Sequence, residues 1–446
     1  MIFNCVCKEN IPSGDYWQKT LCLDLALKRC YIPKKFTMRK TFMLENKKIV
    51  LGITGGIAAY KAAELTRTFV KAGAQVRVVM TKSAAEFITP LTMQTLSQGP
   101  VYTDMFAPTD QYDMAHIALA DWADVFVIAP ATGNVIGKIA SGIADDLLTT
   151  TVMAQNKPTL ICPAMNDKML ANPMVQENIG KLRQFGYTVM KSGVGELACK
   201  TSGSGRLPDI EEIVYAVESL LTVKDFAGER ILITAGPTEE PLDPVRFLTN
   251  LSSGKMGYAL ARAAHQRGAE VILVSGPTKI VPPPVDNIIF IRTALEMRQA
   301  VLDHCDQATI IIKAAAVADY RPKSLAAEKI KKESGPASIA LERNPDILAE
   351  IGAKRKKGIL VGFAMETQDL LANARLKLRK KNVDMIVANS LKEEGAGFQT
   401  DTNIITILDR NGKVIALKKM SKPDAAHRIL DHIKTLTRKK GDGKKS

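Results

Sequence analysis

The stretch Lys48–Thr81, KIVLGITGGIAAYKAAELTRTFVKAGAQVRVVMT, decides the fold. KIVLGIT is an apolar run without alternation, the pattern of a strand covered on both faces. Two glycines turn the chain, a helical stretch follows and stops at Gly73, and AQVRVVMT reads as a second buried strand. Strand, tight turn, helix and strand in that order imply a right-handed crossover between parallel strands. Apolar run, turn and helix return in ADVFVIAPATGN (123–134), KPTLICPAMN (157–166) and YTVM (187–190), so a parallel sheet with helices on both faces is expected.

After the helix PDIEEIVYAVESLL, the segment TVKDFAGER is polar and without periodicity, and a domain boundary is placed near residue 225. The pattern then restarts: RILITAG, a helix around Lys255–Arg267, AEVILVSG, ATIIIKAAAV, GILVGFAMET, a helix to Lys381, and DMIVAN. KIVLGITGG and RILITAGPT open the two halves alike. Two late strands, NIITILD and KVIALKK, flank an Arg-Asn-Gly hairpin signal, and an amphipathic helix runs from about Pro423. The expected class is α/β, with two doubly wound, mostly parallel-sheet, Rossmann-like domains, the first of flavodoxin type. They span residues 47–225 and 226–437, between an extension (1–46) and a basic tail (438–446). The extension lacks periodicity and signal-peptide features, and is read as disordered or as lying ahead of a start at Met38 or Met43.

A composition of 46% hydrophobic and 24% charged residues is that of a globular protein. No apolar run approaches the roughly 20 residues a membrane helix needs. Seven cysteines without CxxC pairs and five histidines argue against a zinc site or a disulfide framework, and a cytoplasmic protein is expected. The formal charge of +15 lies mostly at the ends: residues 1–48 hold ten Lys/Arg against four Asp/Glu, and residues from Arg438 on hold five against one. The middle is only mildly basic, which suits anionic small molecules as well as polynucleotides; a nucleic-acid reading rests on the charged ends alone, and no nucleic-acid partner is expected.

In open parallel sheets ligands bind beyond the carboxyl ends of the strands. Thr54-Gly55-Gly56-Ile57 after the first strand, Thr81 and Ser83 after the second, and Ala131-Thr132 within APATGN arrive at that edge. Their hydroxyls and backbone N–H groups suit a phosphate. Neither G-x-G-x-x-G nor G-x-x-x-x-G-K-[ST] is present, which favours a mononucleotide such as FMN over a dinucleotide. Read singly, His116 can be structural, Asn166 a helix cap, Cys199 an exposed thiol, and Cys162 a core residue. KTSGSGR has the composition of a flexible loop.

Together GGIAAYK, MAHI, APAT, PAMN and ACKTSGSGR resemble the flavin-containing cysteine decarboxylases, in particular phosphopantothenoylcysteine decarboxylase, from about Lys47 to Arg206. The resemblance implies FMN and places the working residues on His116, Asn166 and Cys199, the last on a mobile substrate flap. The chemistry agrees. Oxidising a cysteine thiol to a thioaldehyde creates an electron sink for loss of CO₂, and a flavin accepts the hydride. A histidine handles protons near neutrality, and Cys199 is suited to protonate the enethiolate. Asn166 holds the departing carboxylate without a full positive charge, which would stabilise the reactant more than the transition state. Two departures stand out: Thr54 replaces a common serine, and ADDLL carries Asp145 and Asp146 where relatives pair Asp with Asn.

In the second half, TAGPTEEPLDPVRFLTN reads as a long Pro-rich loop bearing Arg246 and Asn250, and SSGKMG as a glycine-bearing anion site opening a helix. Asp319 follows an apolar strand, EKIKK supplies Lys329, Lys331 and Lys332, and Asn344 or Asp346 caps a helix. Lys377 and Lys381 share a helix face. Alone, the lysine run is a solvated loop and the helical pair an exposed face. Together these motifs resemble phosphopantothenate–cysteine ligase over about Arg230–Asn403. The resemblance implies CTP contacts at Lys313, Ala314, Ala315, Asp319, Lys329, Pro345, Asp346, Ile347, Leu348, Phe363, Lys377 and Lys381. It puts Asn250 on the acyl intermediate and Lys329 on the phosphoryl charge. Mg²⁺ comes chiefly with the nucleotide phosphates, with Asp319 a candidate ligand.

The resemblances imply an enzyme of coenzyme A biosynthesis acting on 4′-phosphopantothenate, L-cysteine and CTP, and a homo-oligomer, a dodecamer. The alternative is a flavin-binding regulatory protein with inactive sites. Such a protein is expected to lose Asn166 or Cys199, and both are present.

Overall fold

The structure, a computed structural model, describes residues 44–106, 114–196, 202–330, 338–355, 357–366, 370–390 and 400–442. All but the last residues of the expected extension, and the end of the basic tail, lie outside them. The first sheet holds β1 (Lys48–Ile53), β2 (Gln75–Met80), β3 (Val101–Tyr102), β4 (Val125–Ala131), β5 (Thr159–Pro163) and β6 (Thr188–Val189). They are all parallel, in the order β3-β2-β1-β4-β5-β6. Among doubly wound sheets this is the Rossmann order, with its switch point between β1 and β4. The flavodoxin order 2-1-3-4-5 obeys the same ligand rule.

Strand alternation divides the apolar residues between two cores. Ile49, Leu51, Val125 and Val127 pack with Leu65 and Phe69 of helix Lys61–Lys71 and with Ile213 and Val217 of helix Ile210–Leu221. Val50, Phe126, Ile128 and Ile161 face the other way, toward Leu119, Ile136, Leu148 and Ile179. The glycine-rich stretch expected as a loop is instead partly strand: β7 (Gly193–Glu196) and β8 (Ser202–Arg206) form an antiparallel ribbon. Residues 197–201, which include Cys199, lie outside the described residues.

The second half opens with β9 (Arg230–Ala235) and a ribbon of β10 (Glu239–Pro241) and β11 (Phe247–Thr249). The Pro-rich run expected as a long loop is therefore paired. Next come β12 (Glu270–Ser275), β13 (Asn287–Phe290), β14 (Ile310–Lys313), the ribbon of β15 (Tyr320–Pro322) and β16 (Leu341–Arg343), β17 (Ile359–Glu366) and β18 (Met385–Ser390). The chain ends with β19 (Thr402–Asn403), β20 (Ile405–Asp409), β21 (Val414–Ala416), β22 (Met420–Ser421) and helix Lys422–Asp442, which runs on into the expected tail. Eight strands form the sheet β13-β12-β9-β14-β17-β18-β20-β21. β20 and β21 enter antiparallel on either side of the expected hairpin turn.

The polar connector is tied down. Phe226 is fully buried in the second core, with the Arg267 guanidinium 4.8 Å from its ring centre. Arg267 in turn pairs with Asp225 (2.6 Å) and Asp431 (2.8 Å). Lys224 donates to the Gln266 carbonyl at 2.6 Å. Helix Ile210–Leu221 lies against helix Lys255–Gln266 through Tyr215 Oη and His265 Nδ1 (2.6 Å) and through Arg262 and Glu218 (3.1 Å). Arg262 stacks 4.4 Å over the Tyr215 ring. Burial, only partly countered by Arg262, pushes the Tyr215 hydroxyl up to about 12.

Replacing a fully buried phenylalanine by alanine removes its transfer energy and leaves a cavity. Phe226→Ala is expected to cost about 3–5 kcal/mol, read as a lowered urea midpoint for the eight-stranded half.

Candidate active sites

Three turns meet at the carboxyl edge of the first sheet. A Cβ built on Gly55 would lie 2.3 Å from Ser83 Cβ, and one on Gly56 would touch Thr132 Cγ2 at 3.6 Å. The turns after β1, β2 and β4 are thus packed together, and only a bare backbone fits at Gly55. Thr81 caps its helix by accepting from Ala84 N–H (3.2 Å), and Thr132 caps helix Gly133–Ala140. Ile57 and Tyr60 leave apolar surface at the rim, each 60% exposed. Such a glycine-lined edge with an apolar rim fits a phosphate-bearing planar ring. Thr54 requires a correction. Its side chain is wholly buried, and Oγ1 donates to Pro130 O (2.8 Å) while accepting from Thr132 N–H (3.0 Å). It shapes the turn and offers no hydroxyl to a ligand. Ala131, also fully buried, accepts from Ala164 N–H through its carbonyl.

The two acids of ADDLL are used structurally. Asp146 caps helix Leu147–Ala154, and Lys138 bonds Asp145 at 2.9 Å and reaches Asp146 at 3.5 Å. The Lys138 hydrogen bond holds the Asp145 carboxyl below its usual range.

β5 ends at Pro163 and delivers Asn166, half-buried, to the same edge. Asn166 Oδ1 accepts from Lys168 N–H at 2.9 Å, which caps helix Asp167–Ala171 and fixes the rotation of the amide. The helix cap expected of this residue is therefore present. Cys162 is a core residue: its thiol is fully buried, 3.7 Å from Met190 Sδ, and burial pushes it up. His116 is half-buried on helix Ala115–Trp122, and no hydrogen bond joins it to the turns among the described residues.

In the second half, the expected nucleotide contacts converge around β14. Lys313 closes that strand with its ammonium buried, 3.7 Å from Met297 Sδ. Asp346 caps helix Ile347–Lys354, accepting from Ala349 N–H (3.0 Å), and pairs with Lys381 at 2.9 Å. Leu348 packs over Gly362, beside half-buried Phe363. Burial drives the Lys313 ammonium down to about 7; Asp346 opposes this and Lys381 reinforces it. Burial raises the Asp346 carboxyl, but Lys381, the capping N–H and Lys313 outweigh it and hold it low. Ala315 N–H donates to Thr234 Oγ1 (3.2 Å), and Asn250 Nδ2 donates to the Ala316 and Val317 carbonyls (3.2 and 3.1 Å). Asn250 is thereby joined to the strand end that carries Lys313. Lys377 lies one turn before Lys381, and Pro345 precedes the cap. Asp319 is exposed, and among the described residues no group of three or more His, Cys, Asp and Glu side chains is placed to hold a metal.

Arg246, on the Pro-rich run, is engaged within the protein: it bonds buried Asp243 at 2.9 Å through Nε and donates to Ile330 O at 2.8 Å. Arg246, against the cost of burial, and the N–H groups of Val245, Arg246 and Ile330 hold the Asp243 carboxyl far below its usual range. This pair fastens the segment bearing exposed Lys329; Lys331 and Lys332 lie outside the described residues. Lys255 of SSGKMG pairs with Asp401 at 2.7 Å, and a Cβ on Gly257 would lie 2.5 Å from Ala235 Cβ, so that glycine serves close helix–strand packing. Asn389, at the end of β18, went unnoticed in the sequence. Its Oδ1 is buried without a partner among the described residues, and the only signal is a polar residue closing an apolar strand.

Residues 37–222 match the family model described as flavoprotein. Residues 226–436 match the one described as DNA/pantothenate metabolism flavoprotein C-terminal domain. Fold and first site thus define a flavoprotein of two doubly wound halves. The coenzyme A biosynthesis bifunctional protein CoaBC of Bacillus subtilis is 50% identical over 404 residues, 90% of this chain and 100% of the relative. That of Escherichia coli is 43% identical over 398 residues, 88% of this chain and 98% of the relative. A crystal structure of a CoaBC C-terminal domain is 44% identical, with a TM-score of 0.42, and covers 48% of this chain and 99% of that one. The chain belongs to this family of bifunctional coenzyme A biosynthesis proteins.

The burial of Lys313 has a testable sign. The unfolded lysine keeps its proton to about 10.4, whereas the folded one releases it near 7. Between those values the unfolded state binds more protons, so stability rises with pH. Nucleotide-free Lys313→Met is expected to be more stable than the parent at pH 7, and the gap to narrow toward pH 10 in urea titrations across that range.

Proposed function

We propose that the second half ligates cysteine to 4′-phosphopantothenate with CTP, and that the first half, carrying FMN, decarboxylates the 4′-phosphopantothenoylcysteine so formed. The observation that carries this reading is the joining of Lys313, Asp346, Lys381 and Asn250 at one sheet edge. It is the arrangement an activated carboxyl and its nucleotide need. The domains are assigned to residues 47–225 and 226–437, in a cytoplasmic homo-oligomer, a dodecamer by family likeness.

A carboxylate accepts an amine only once its oxygen can leave. Attack of the 4′-phosphopantothenate carboxylate on the α-phosphate of CTP releases pyrophosphate and forms an acyl-cytidylate. The cysteine amine then displaces CMP. Lys329, held on its fastened segment, neutralises charge building on the phosphoryl oxygens, and Mg²⁺ arrives on the phosphates. Exposed Asp319 is its candidate protein ligand. Lys313, Ala314, Ala315, Pro345, Asp346, Ile347, Leu348, Phe363, Lys377 and Lys381 line the nucleotide's path.

In the first half, Gly55, Gly56, Ile57, Ser83, Ala131 and Thr132 would hold FMN, with Thr81 and the buried Thr54 behind them. When bound there, FMN would supply the two-electron acceptor and donor needed to oxidise the substrate thiol to a thioaldehyde and to restore it after loss of CO₂. Asn166 donates its amide N–H to the carboxylate that leaves as CO₂, His116 handles the proton, and Cys199 protonates the resulting enethiolate.

The purified protein is expected to show flavin absorbance and, given the three substrates with Mg²⁺, to release pyrophosphate and CO₂ in equal amounts. Bound flavin without turnover would favour a regulatory flavoprotein instead. In rapid-quench experiments Lys329→Gln should block acyl-cytidylate formation, whereas Asn250→Asp should let it accumulate. Neither pattern appearing refutes the assignment.

A further inference from the structure

We propose that Gly205 is a positioning residue of the first site, acting through Asn166; the inference rests on the decarboxylase reading above. The loop from β5 to Asn166 is held at three points. Ala164 N–H donates to Ala131 O (3.0 Å), Ser192 Oγ donates to Pro163 O (3.1 Å), and Met165 N–H donates to Gly205 O (2.9 Å). The last two come from the β7–β8 ribbon and the residue leading into it. Gly205 sits at φ +135°, where a side chain is strained, and a Cβ there would lie 2.2 Å from the Met165 carbonyl oxygen and 3.5 Å from the Asn166 carbonyl carbon. The obstacle is backbone, so no side chain can swing aside. Either β8 lifts or the Asn166 loop retreats, by ~1 Å, a displacement that costs on the order of 100-fold when a reacting group is misplaced.

Two other glycines separate this effect from simple strain. At Gly203 a Cβ would meet Asp167 Cβ and Oδ2, both at 3.2 Å, a tightness that a shift of a few tenths of an ångström relieves, against the 2.2 Å clash at Gly205. Gly186 has φ +88° but nothing within 4 Å, so Gly186→Ala carries backbone strain without a clash.

The test compares full-length Gly205→Ala, Gly203→Ala and Gly186→Ala, with flavin content and pyrophosphate release by the second half as internal reports of folding. Gly205→Ala is expected to keep flavin and ligation, and to lose ~100-fold in decarboxylation kcat. The other two should stay within a few-fold of the parent. In the Asn166→Ala background the Gly205→Ala loss should largely vanish, because the two residues act as one unit. Should Gly205→Ala shed its flavin, Ser192→Ala decides: a several-fold loss of kcat, absent in the Asn166→Ala background, supports the proposal. Full decarboxylation by a flavin-bound Gly205→Ala, or losses that simply multiply, overturns it. A parent that ligates but never releases CO₂ overturns the functional reading instead.

Discussion

A threonine hydroxyl with no surface of its own holds each half open. At the end of β1, Thr54 ties the β1 turn to Pro130 and Thr132 at the end of β4. At the end of β9, Thr234 accepts from Ala315 just beyond β14. In both sheets these are adjacent parallel strands whose helices depart to opposite faces, so their ends diverge and leave a crevice. A polar bond across that divergence, shielded from water, sets the spacing of the two turns. Thr238, accepting from Ala318 N–H at 3.0 Å, repeats the device one step further along the second crevice. The likeness of the two opening strands is therefore architectural as well as textual.

Around these stitches the charged groups fall into two populations. Some spend their charge on the protein itself: Arg246 on Asp243, Arg267 on Asp225 and Asp431, Lys138 on Asp145. Lys313 is different, since its ammonium is enclosed with a carboxylate and a second lysine nearby. Keeping a cation there opposes folding, and such an expense is retained where a ligand of opposite sign repays it.

Much of this was legible beforehand because it depends on local pattern. The apolar runs of β1, β4, β9, β14 and β17, the glycine-ended helix after β1 and the hairpin around Arg410–Gly412 need only neighbours in the chain. Asp346 and Lys381 were brought together beforehand only by the family resemblance, which puts both on the nucleotide; the helix cap was legible, their ion pair was not. What escaped depends on partners distant in sequence. Thr54 looks the same whether its hydroxyl meets a ligand or Pro130, and nothing in the Pro-rich run shows that Asp243 takes the charge of Arg246. β7 and β8 were hidden because glycine and serine carry little strand propensity; they pair with each other through the backbone, and the Met165 N–H fastens β8 from outside at the Gly205 carbonyl. β3 and β13 are edge strands of two and four residues, too short for their apolar run to show a period.

The buried ring of Phe226 fixes where this polypeptide can be divided. Helix Ile210–Leu221 contributes Ile213 and Val217 to the first core, while Phe226 already belongs to the second. The seam between the two catalytic bodies is therefore only the few residues after Leu221. A gene split further downstream would strip one half of a core side chain, and a split upstream would uncover the flank of the other. Any ancestral joining of two separate enzymes, or any laboratory dissection of this one, has to fall within that seam.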